Sequence, residues 1–248
     1  DVYEGSPTSV TSFFAIVPKI AGIAVFIRFM YSPFQNILDE WQYILVFISI
    51  ASMILGAVAA INQKNIKRLI AYSSISHMGY AIAGISTGTE SGFKSTIIYI
   101  LIYSAMNIGF FAFVFLMKRS GKYIEDINEL SGISKNHPLA ALSLLIVLFS
   151  LAGIPPLAGF FAKFYIFMSV IESGMYALAI IGLVTTVVSA FYYIRIVKVM
   201  YFDSPKKPFE NFKSYGIYGS LIFSCLFLSS FFMYPSIFNG IISKINIF

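Results

Sequence analysis

An all-α integral membrane protein of about seven transmembrane helices, one of them broken at mid-membrane, is the fold class this sequence predicts. Three observations predict it. Of 248 residues, 58% are hydrophobic and only 11% charged, with a mean hydropathy of +0.82. A soluble domain carries about 25% charged residues, so this chain lacks the polar surface that keeps a protein dispersed in water. Seven apolar runs are long enough to be read as crossings of a hydrocarbon core about 30 Å thick. One of them contains Pro155-Pro156, flanked by Gly153 and Gly159.

Composition also excludes chemistry. A single cysteine, Cys225, rules out an internal disulfide, a CxxC pair and a cysteine-ligated zinc or iron–sulfur site in the chain. Two histidines, His77 and His137, are too few for a pair of bis-histidine haems. Seventeen lysines and arginines against eleven acids give +6, a bias that fits loops facing the cytoplasm and calls for no nucleic acid. The chain opens on Asp1, not Met, and its polar start lacks the pattern of a secretory signal. It therefore reads as processed or as a piece of something longer.

The runs are approximately 8–31, 43–61, 69–88, 95–117, 138–170, 175–195 and 214–238, and no linker divides residues 1–248 into more than a single transmembrane domain. The first holds Lys19 and ends on Tyr31. Trp41 and Tyr43 open the second, Tyr201 follows the sixth and Tyr215 opens the seventh, at the headgroup levels that aromatic rings favour. The third carries Ser73, His77 and Tyr80 at i, i+4 and i+7, one helix face. Such a stripe suits a water-filled relay with imidazole as the shuttle, and equally suits close packing of helices through small and hydroxyl residues. Tyr99, Tyr103 and Asn107 form a weaker stripe on the fourth, read as structural. Ile124, Ile127 and Leu130, after the fourth run, mark a short amphipathic element at the surface.

The fifth run, 33 residues, would make a straight helix of about 50 Å, far longer than one crossing. Two adjacent prolines remove two donors and clash with the preceding turn, so the helix breaks there. Either two short spans form a hairpin, or one crossing is made of two half-helices. A single crossing puts twelve of the loop and end cations on the Asp1 side and three on the other, whereas a hairpin gives eight and seven. Orientation follows Lys/Arg asymmetry. The single broken crossing is therefore expected, with the N-terminal side and the 118–137 loop cytoplasmic and the C-terminus outside. Non-helical backbone at that depth is tolerated where protein or a water-filled cavity satisfies it, and broken helices point to ion or substrate paths. Gly153, Pro155, Pro156 and Gly159 mark this break; the plainer reading is a proline kink.

Lys19 and Lys163 are the cations left inside the runs, which contain no Asp or Glu. A proton carrier built on an embedded carboxylate is thus absent. Lys19 lies about 17 Å from the start of its run, too deep to snorkel. A lysine at the helix centre costs about 2.5–3.5 kcal/mol on insertion scales, and one without a fixed partner can take up and release a proton. Lys163 is about 10 Å from the outer end, where partial snorkelling competes with a cavity-facing role; its position four residues past Gly159 favours the cavity.

Three blocks then carry a resemblance: Asp-Val-Tyr-Glu-Gly-Ser-Pro at 1–7, Asn-Ile-Lys-Arg-Leu-Ile-Ala-Tyr-Ser-Ser-Ile-Ser-His at 65–77, and Leu-Ala-Gly-Ile-Pro-Pro-Leu-Ala-Gly-Phe-Phe-Ala-Lys-Phe-Tyr at 151–165. The chain resembles the antiporter-like membrane subunits of respiratory complex I. Its Gly-Phe-x-x-Lys-Phe-Tyr ending and Tyr-Tyr-Ile-Arg at 192–195 are most similar to the subunit N branch. The resemblance implies a fourteen-helix parent with two inverted five-helix repeats, each holding a broken helix with a key ionisable residue. The seven runs resemble helices 8–14, with runs two to six forming the second repeat. Lys19 falls at the helix 8 lysine, Lys163 at the helix 12 lysine and His77 on a histidine of the polar axis. The first seven helices, with a glutamate and a further lysine, have no counterpart here.

The implied function is a membrane-arm subunit of proton-translocating NADH–quinone oxidoreductase in a bacterial cytoplasmic (inner) membrane, forming part of a proton path coupled to quinone reduction. It implies no cofactor in this chain; NAD, FMN, iron–sulfur clusters and quinone belong to the rest of the complex. The implied partners are M-like and K-like neighbours, the lateral helix of the L-like subunit and lipid, with quinone reached only indirectly. Two alternatives stand beside it: a subunit of a multisubunit cation/proton antiporter or membrane-bound hydrogenase, and a structural fragment without transport of its own.

Overall fold

Prolines, glycines and capping side chains set the helix ends in the structure, a computed structural model that describes residues 1–210 and 214–233. A single turn, α1 (Val2–Gly5), precedes α2 (Thr8–Tyr31), α3 (Leu38–Ala60), α4 (Ile66–Ser86) and α5 (Glu90–Leu116). A two-stranded antiparallel hairpin, β1 (Lys118–Arg119) and β2 (Lys122–Tyr123), and a short α6 (Ile133–Asn136) follow. Then come α7 (Pro138–Ala152), α8 (Ala158–Glu172), α9 (Tyr176–Phe202) and α10 (Tyr215–Ser230). Asn65 accepts from the N–H groups of Lys67 and Arg68 at 2.8 and 3.2 Å, and Thr89 accepts from Gly92 N–H at 3.1 Å. These caps satisfy donors that the first turns of α4 and α5 leave free. Pro138 opens α7, where its missing N–H costs no helix bond.

Among the described residues, five stretches are long and apolar enough to cross a membrane: Thr8–Tyr31, Gln35–Ala60, Glu90–Leu116, Tyr176–Phe202 and Tyr215–Met233. Two of the seven expected runs differ for identifiable reasons. The third is α4, a continuous helix of 21 residues whose apolarity is diluted by Ser73, Ser74, Ser76 and His77. The fifth is two 15-residue helices, α7 and α8. The end of the seventh run, Lys213, Lys244 and the C-terminus lie outside the described residues.

α5 forms the centre, with Tyr99, Tyr103, Phe110 and Phe113 almost fully buried. α7 and α8 lie end to end along it in the opposite direction. Ser91 Oγ near the start of α5 donates to Glu172 at the end of α8 (3.0 Å), and Ser95 and Ser169 share a hydrogen bond at 3.2 Å. Phe113 and Leu116, in the last turn of α5, line a cavity with His137 and Ala140 at the start of α7. The two half-helices therefore lie one after the other along α5. Around this centre, Phe47, Val187 and Leu226 are among the large apolar side chains turned outwards.

One end of the bundle gathers the N-terminus, the 61–65 loop, the 117–137 connection and the 203–210 segment. Arg195 donates to the carbonyls of Ile61 and Gln63, each at 2.6 Å. Arg119 and Lys206 both pair with Glu129, at 2.7 and 2.8 Å, and hold its carboxyl below the usual carboxylate range. The surface element expected over 123–130 is partly different. Ile127 and Leu130 are buried as their spacing suggests, but they sit on a 3-10 turn (Ile127–Leu130) after the hairpin. Backbone bonds from Ile66 N–H to Glu125 O (2.8 Å) and from Ile127 N–H to Lys64 O (2.9 Å) lock this connection to the start of α4, which leaves no length for a helix lying on the surface. Lys67 also departs from expectation. Counted as a loop charge, it is 2% exposed in the first turn of α4.

Candidate functional site

The break between α7 and α8 starts with Gly153, whose left-handed backbone (φ 86°, ψ 38°) lets its N–H close the last turn of α7 and suits glycine alone among ordinary residues. Ile154 and the prolines carry the chain to α8, with a cis bond between Pro155 and Pro156. The half-helices meet at Gly159: a side chain there would run into the Ser150 carbonyl, and Gly159 N–H donates to Ser150 Oγ at 3.0 Å. One turn further, Lys163 reaches back over the break. It is 4% exposed, and its Nζ donates to Leu151 O (3.2 Å) and Ala152 O (3.1 Å). These carbonyls end α7, where helix acceptors lack partners and the dipole is negative. A lysine without a carboxylate is thereby held at a half-helix end.

On the other side stands Lys19, in the middle of α2. Its Nζ donates to Tyr103 Oη at 3.3 Å and lies 5.3 Å from the Tyr3 ring centroid. Pro18, inside the same helix, cannot donate to the Phe14 carbonyl; the Tyr3 hydroxyl donates to it instead at 3.1 Å. The turn at the N-terminus thus satisfies the gap that Pro18 opens and brings its ring against Lys19.

His77 and tyrosines occupy the space between the two lysines. Tyr103 Oη shares a 2.6 Å hydrogen bond with Ser74 Oγ, and its ring lies 5.3 Å from the His77 ring. His77 Nδ1 is 2.6 Å from Tyr99 Oη and its Nε2 is 3.3 Å from Tyr193 Oη, which in turn bonds Ser73. The Tyr80 ring lies 6.2 Å from His77 and carries Lys163 Nζ 5.1 Å from its centroid, while its hydroxyl bonds Thr186 and Thr185 at 2.9 and 3.1 Å. Hydroxyl and imidazole groups both donate and accept, so each hydrogen-bonded group here can reorient its own proton, while the steps from Tyr103 to His77, His77 to Tyr80 and Tyr80 to Lys163 are ring contacts. A cation over an aromatic face is stabilised without a counter-ion. Among the described residues, no carboxylate comes within ion-pair distance of either lysine.

The structure brings Lys19, His77 and Lys163 into one interior row and puts Gly153, Pro155, Pro156 and Gly159 at the break beneath Lys163. Tyr99 and Tyr103, read from spacing as structural, are the contacts of His77 and Lys19. Tyr193 and Tyr3 were not singled out for the row. The Tyr-Tyr pair in the sixth run and the position of Pro18 beside Lys19 are the sequence signals that could have found them.

A buried and a half-buried lysine, a histidine and tyrosines around a broken helix define an antiporter-like membrane protein. The chain belongs to the family described as NADH:quinone oxidoreductase/Mrp antiporter, TM, which its residues 1–189 match. It is 60% identical over 247 residues to the NADH-quinone oxidoreductase subunit N of Pelagibacter ubique, covering 100% of this chain and 52% of that protein. Identity to subunit N of Rhodospirillum rubrum is 49% over 237 residues, covering 96% and 49%. Among solved structures, it is similar to a chain of respiratory complex I from Thermus thermophilus with bound aureothin, with a TM-score of 0.80 and 30% identity over 95% of this chain and 51% of that one. A chain of the membrane-bound sulfane sulfur reductase, an archaeal respiratory membrane complex, gives a TM-score of 0.84 at 25% identity over 98% and 49%. The chain spans about half the length of the curated relatives it matches.

Proposed function

We propose that residues 1–248 are a single transmembrane domain supplying the second half of a subunit N in a proton-translocating NADH–quinone oxidoreductase. The observation that carries this reading is the interior row from Lys19 through Tyr103, His77 and Tyr80 to Lys163, the last lysine held by the carbonyls that end a half-helix. The two lysines change charge as protons pass, and His77 with its tyrosine partners relays between them. The broken stretch 138–170 crosses the bilayer once, and the runs correspond to helices 8–14 of a fourteen-helix parent, with α3 to α9 making up the second inverted repeat. The chain carries no redox cofactor; electron transfer from NAD(H) to quinone takes place elsewhere in the complex. M-like and K-like subunits, the lateral helix of the L-like subunit and lipid surround it in the bacterial cytoplasmic membrane.

Expression of the full-length protein in a strain lacking its own subunit N is expected to restore NADH-driven acidification of inverted vesicles, whereas residues 1–248 alone are not. Sodium–proton exchange that needs no NADH, in place of that acidification, would favour a cation/proton antiporter. Restoration by residues 1–248 alone would show that the other half is dispensable.

The gathering of the N-terminus and the 61–65, 117–137 and 203–210 segments at one end supports a cytoplasmic position for that end, where their lysines and arginines concentrate. In the full-length protein with Cys225→Ser, Lys206→Cys is expected to react with an impermeant thiol reagent from the cytoplasmic side and Ser173→Cys from the other. Labelling of both from one side would overturn the single crossing.

A further inference from the structure

A second titratable cluster lies away from the lysine row. Residues 4–9, Lys67, Phe115, Tyr123 and Glu125 line an open cavity of about 380 Å³ at the end of the bundle that gathers the loops. Lys67 is buried at its inner wall and pairs with Glu125 at 2.6 Å, the carboxylate keeping 28% of its side chain exposed. Lys67 Nζ also donates to Ser6 O at 2.8 Å, and Asn65 Nδ2 donates to Glu125 at 2.9 Å. Burying a lysine costs desolvation that one ion pair seldom returns, and an apolar pair of similar volume would hold the fold as well. Fold stability alone therefore gives little reason for a buried lysine here.

The pair is graded, with the carboxylate towards the cavity and the ammonium towards the interior. Beyond it, buried Thr11 Oγ1 approaches Ser6 O at 3.4 Å and donates to Tyr3 O at 2.9 Å, and the Tyr3 ring borders Lys19. Thr11 and Tyr3 thus stand between the cavity and the first lysine of the row, and the last contact is the face of the Tyr3 ring. The other charged or titratable groups nearby are engaged or distinct: Arg68 holds Glu4 at 3.3 Å and Asp1 at 2.9 Å, Asp126 accepts from Asn128 N–H, and Tyr123 lines the outer wall.

We propose that this cavity is a hydrated vestibule and that the Glu125–Lys67 pair is its proton-exchange site, supplying Lys19. A hydronium ion in the vestibule gives its proton to the Glu125 carboxylate and leaves as water. The neutral carboxyl no longer pairs with the Lys67 ammonium, which stays on Ser6 O as an uncompensated positive charge facing the row. That proton passes through the vestibule's water to a neutral Lys19, which becomes an ammonium, and the Glu125–Lys67 ion pair re-forms. This role rests on the proton-path reading of the Lys19–Lys163 row.

The test uses the full-length protein in its assembled complex, with native-gel assembly, quinone reduction and proton translocation measured together. Glu125→Gln, which keeps the hydrogen-bonding shape but not the exchangeable charge, is expected to lower translocation about tenfold at normal assembly, while Glu125→Asp recovers at least about half. In a Cys225→Ser background, Ser6→Cys, half-buried on the cavity wall, is expected to react with a small water-soluble thiol reagent. Normal translocation with Glu125→Gln, or equal loss of assembly in Glu125→Gln and Glu125→Asp, overturns the exchange role. An unreactive Ser6→Cys overturns the hydrated vestibule. Lys163→Arg in parallel separates the two readings: impaired Lys163→Arg beside normal Glu125→Gln removes this proposal alone, and normal Lys163→Arg removes the row on which it rests.

Discussion

Lys163→Arg in the full-length protein is expected to lower NADH-driven proton translocation about tenfold or more at unchanged assembly. The substitution keeps a positive charge and a set of donors for Leu151 O and Ala152 O, so a fixed counter-charge for the end of α7 would survive it. Deprotonation would not survive it, because a guanidinium stays charged throughout the accessible pH range. Space adds to the effect: a Cβ built on Gly153 would lie 3.1 Å from Lys163 Cδ, so the break already fits the slim stem closely. Were Lys163 only reaching for the interface, arginine would serve equally well. Translocation and quinone reduction in membranes with matched amounts of complex distinguish these cases, and near-normal translocation would leave Lys163 a structural role.

Gly159→Ala is expected to remove most of the assembled subunit. Its new methyl group would run into the backbone carbonyl of Ser150 where the two half-helices meet, with the Ser150 hydroxyl close beside it. Overpacking of this kind costs about 1–3 kcal/mol and occasionally more, a large share of the stability of a typical fold. The same shift would move Lys163, one turn along α8, off the carbonyls that hold it. Gly219→Ala on α10, whose Cβ would meet nothing within 4 Å, serves as the control. Native-gel levels equal to the control would contradict this account of the break.

Much of the fold was legible because membrane spans are written locally. Apolar length marks a helix, and Pro155-Pro156 stops one helix before another starts. Lys163 and Lys19 were legible as exceptions, being charges where a span should carry none. The tyrosines were harder to read, because Tyr193 meets Ser73 and His77 across more than a hundred residues and no local period encodes that pairing. Lys67 was hidden for another reason: it sits between Lys64 and Arg68, so counting loop charges treats it as solvated. Only the fold of the 117–130 connection shows Glu125 coming back to cover it. Tyr3 and Pro18 likewise make sense together, as a hydroxyl placed on the carbonyl that a proline leaves free.

Whether Lys19 and Lys163 serve one path is the central claim, and proton translocation per NADH oxidised tests it most directly when measured for Lys19→Arg, Lys163→Arg and the double variant at matched assembly. Residues acting in one sequence of steps are non-additive. The row through Tyr103, His77 and Tyr80 therefore predicts that the double variant translocates no less than the more impaired single one. Losses that multiply in the double variant, or single variants that both translocate normally, would contradict a shared path.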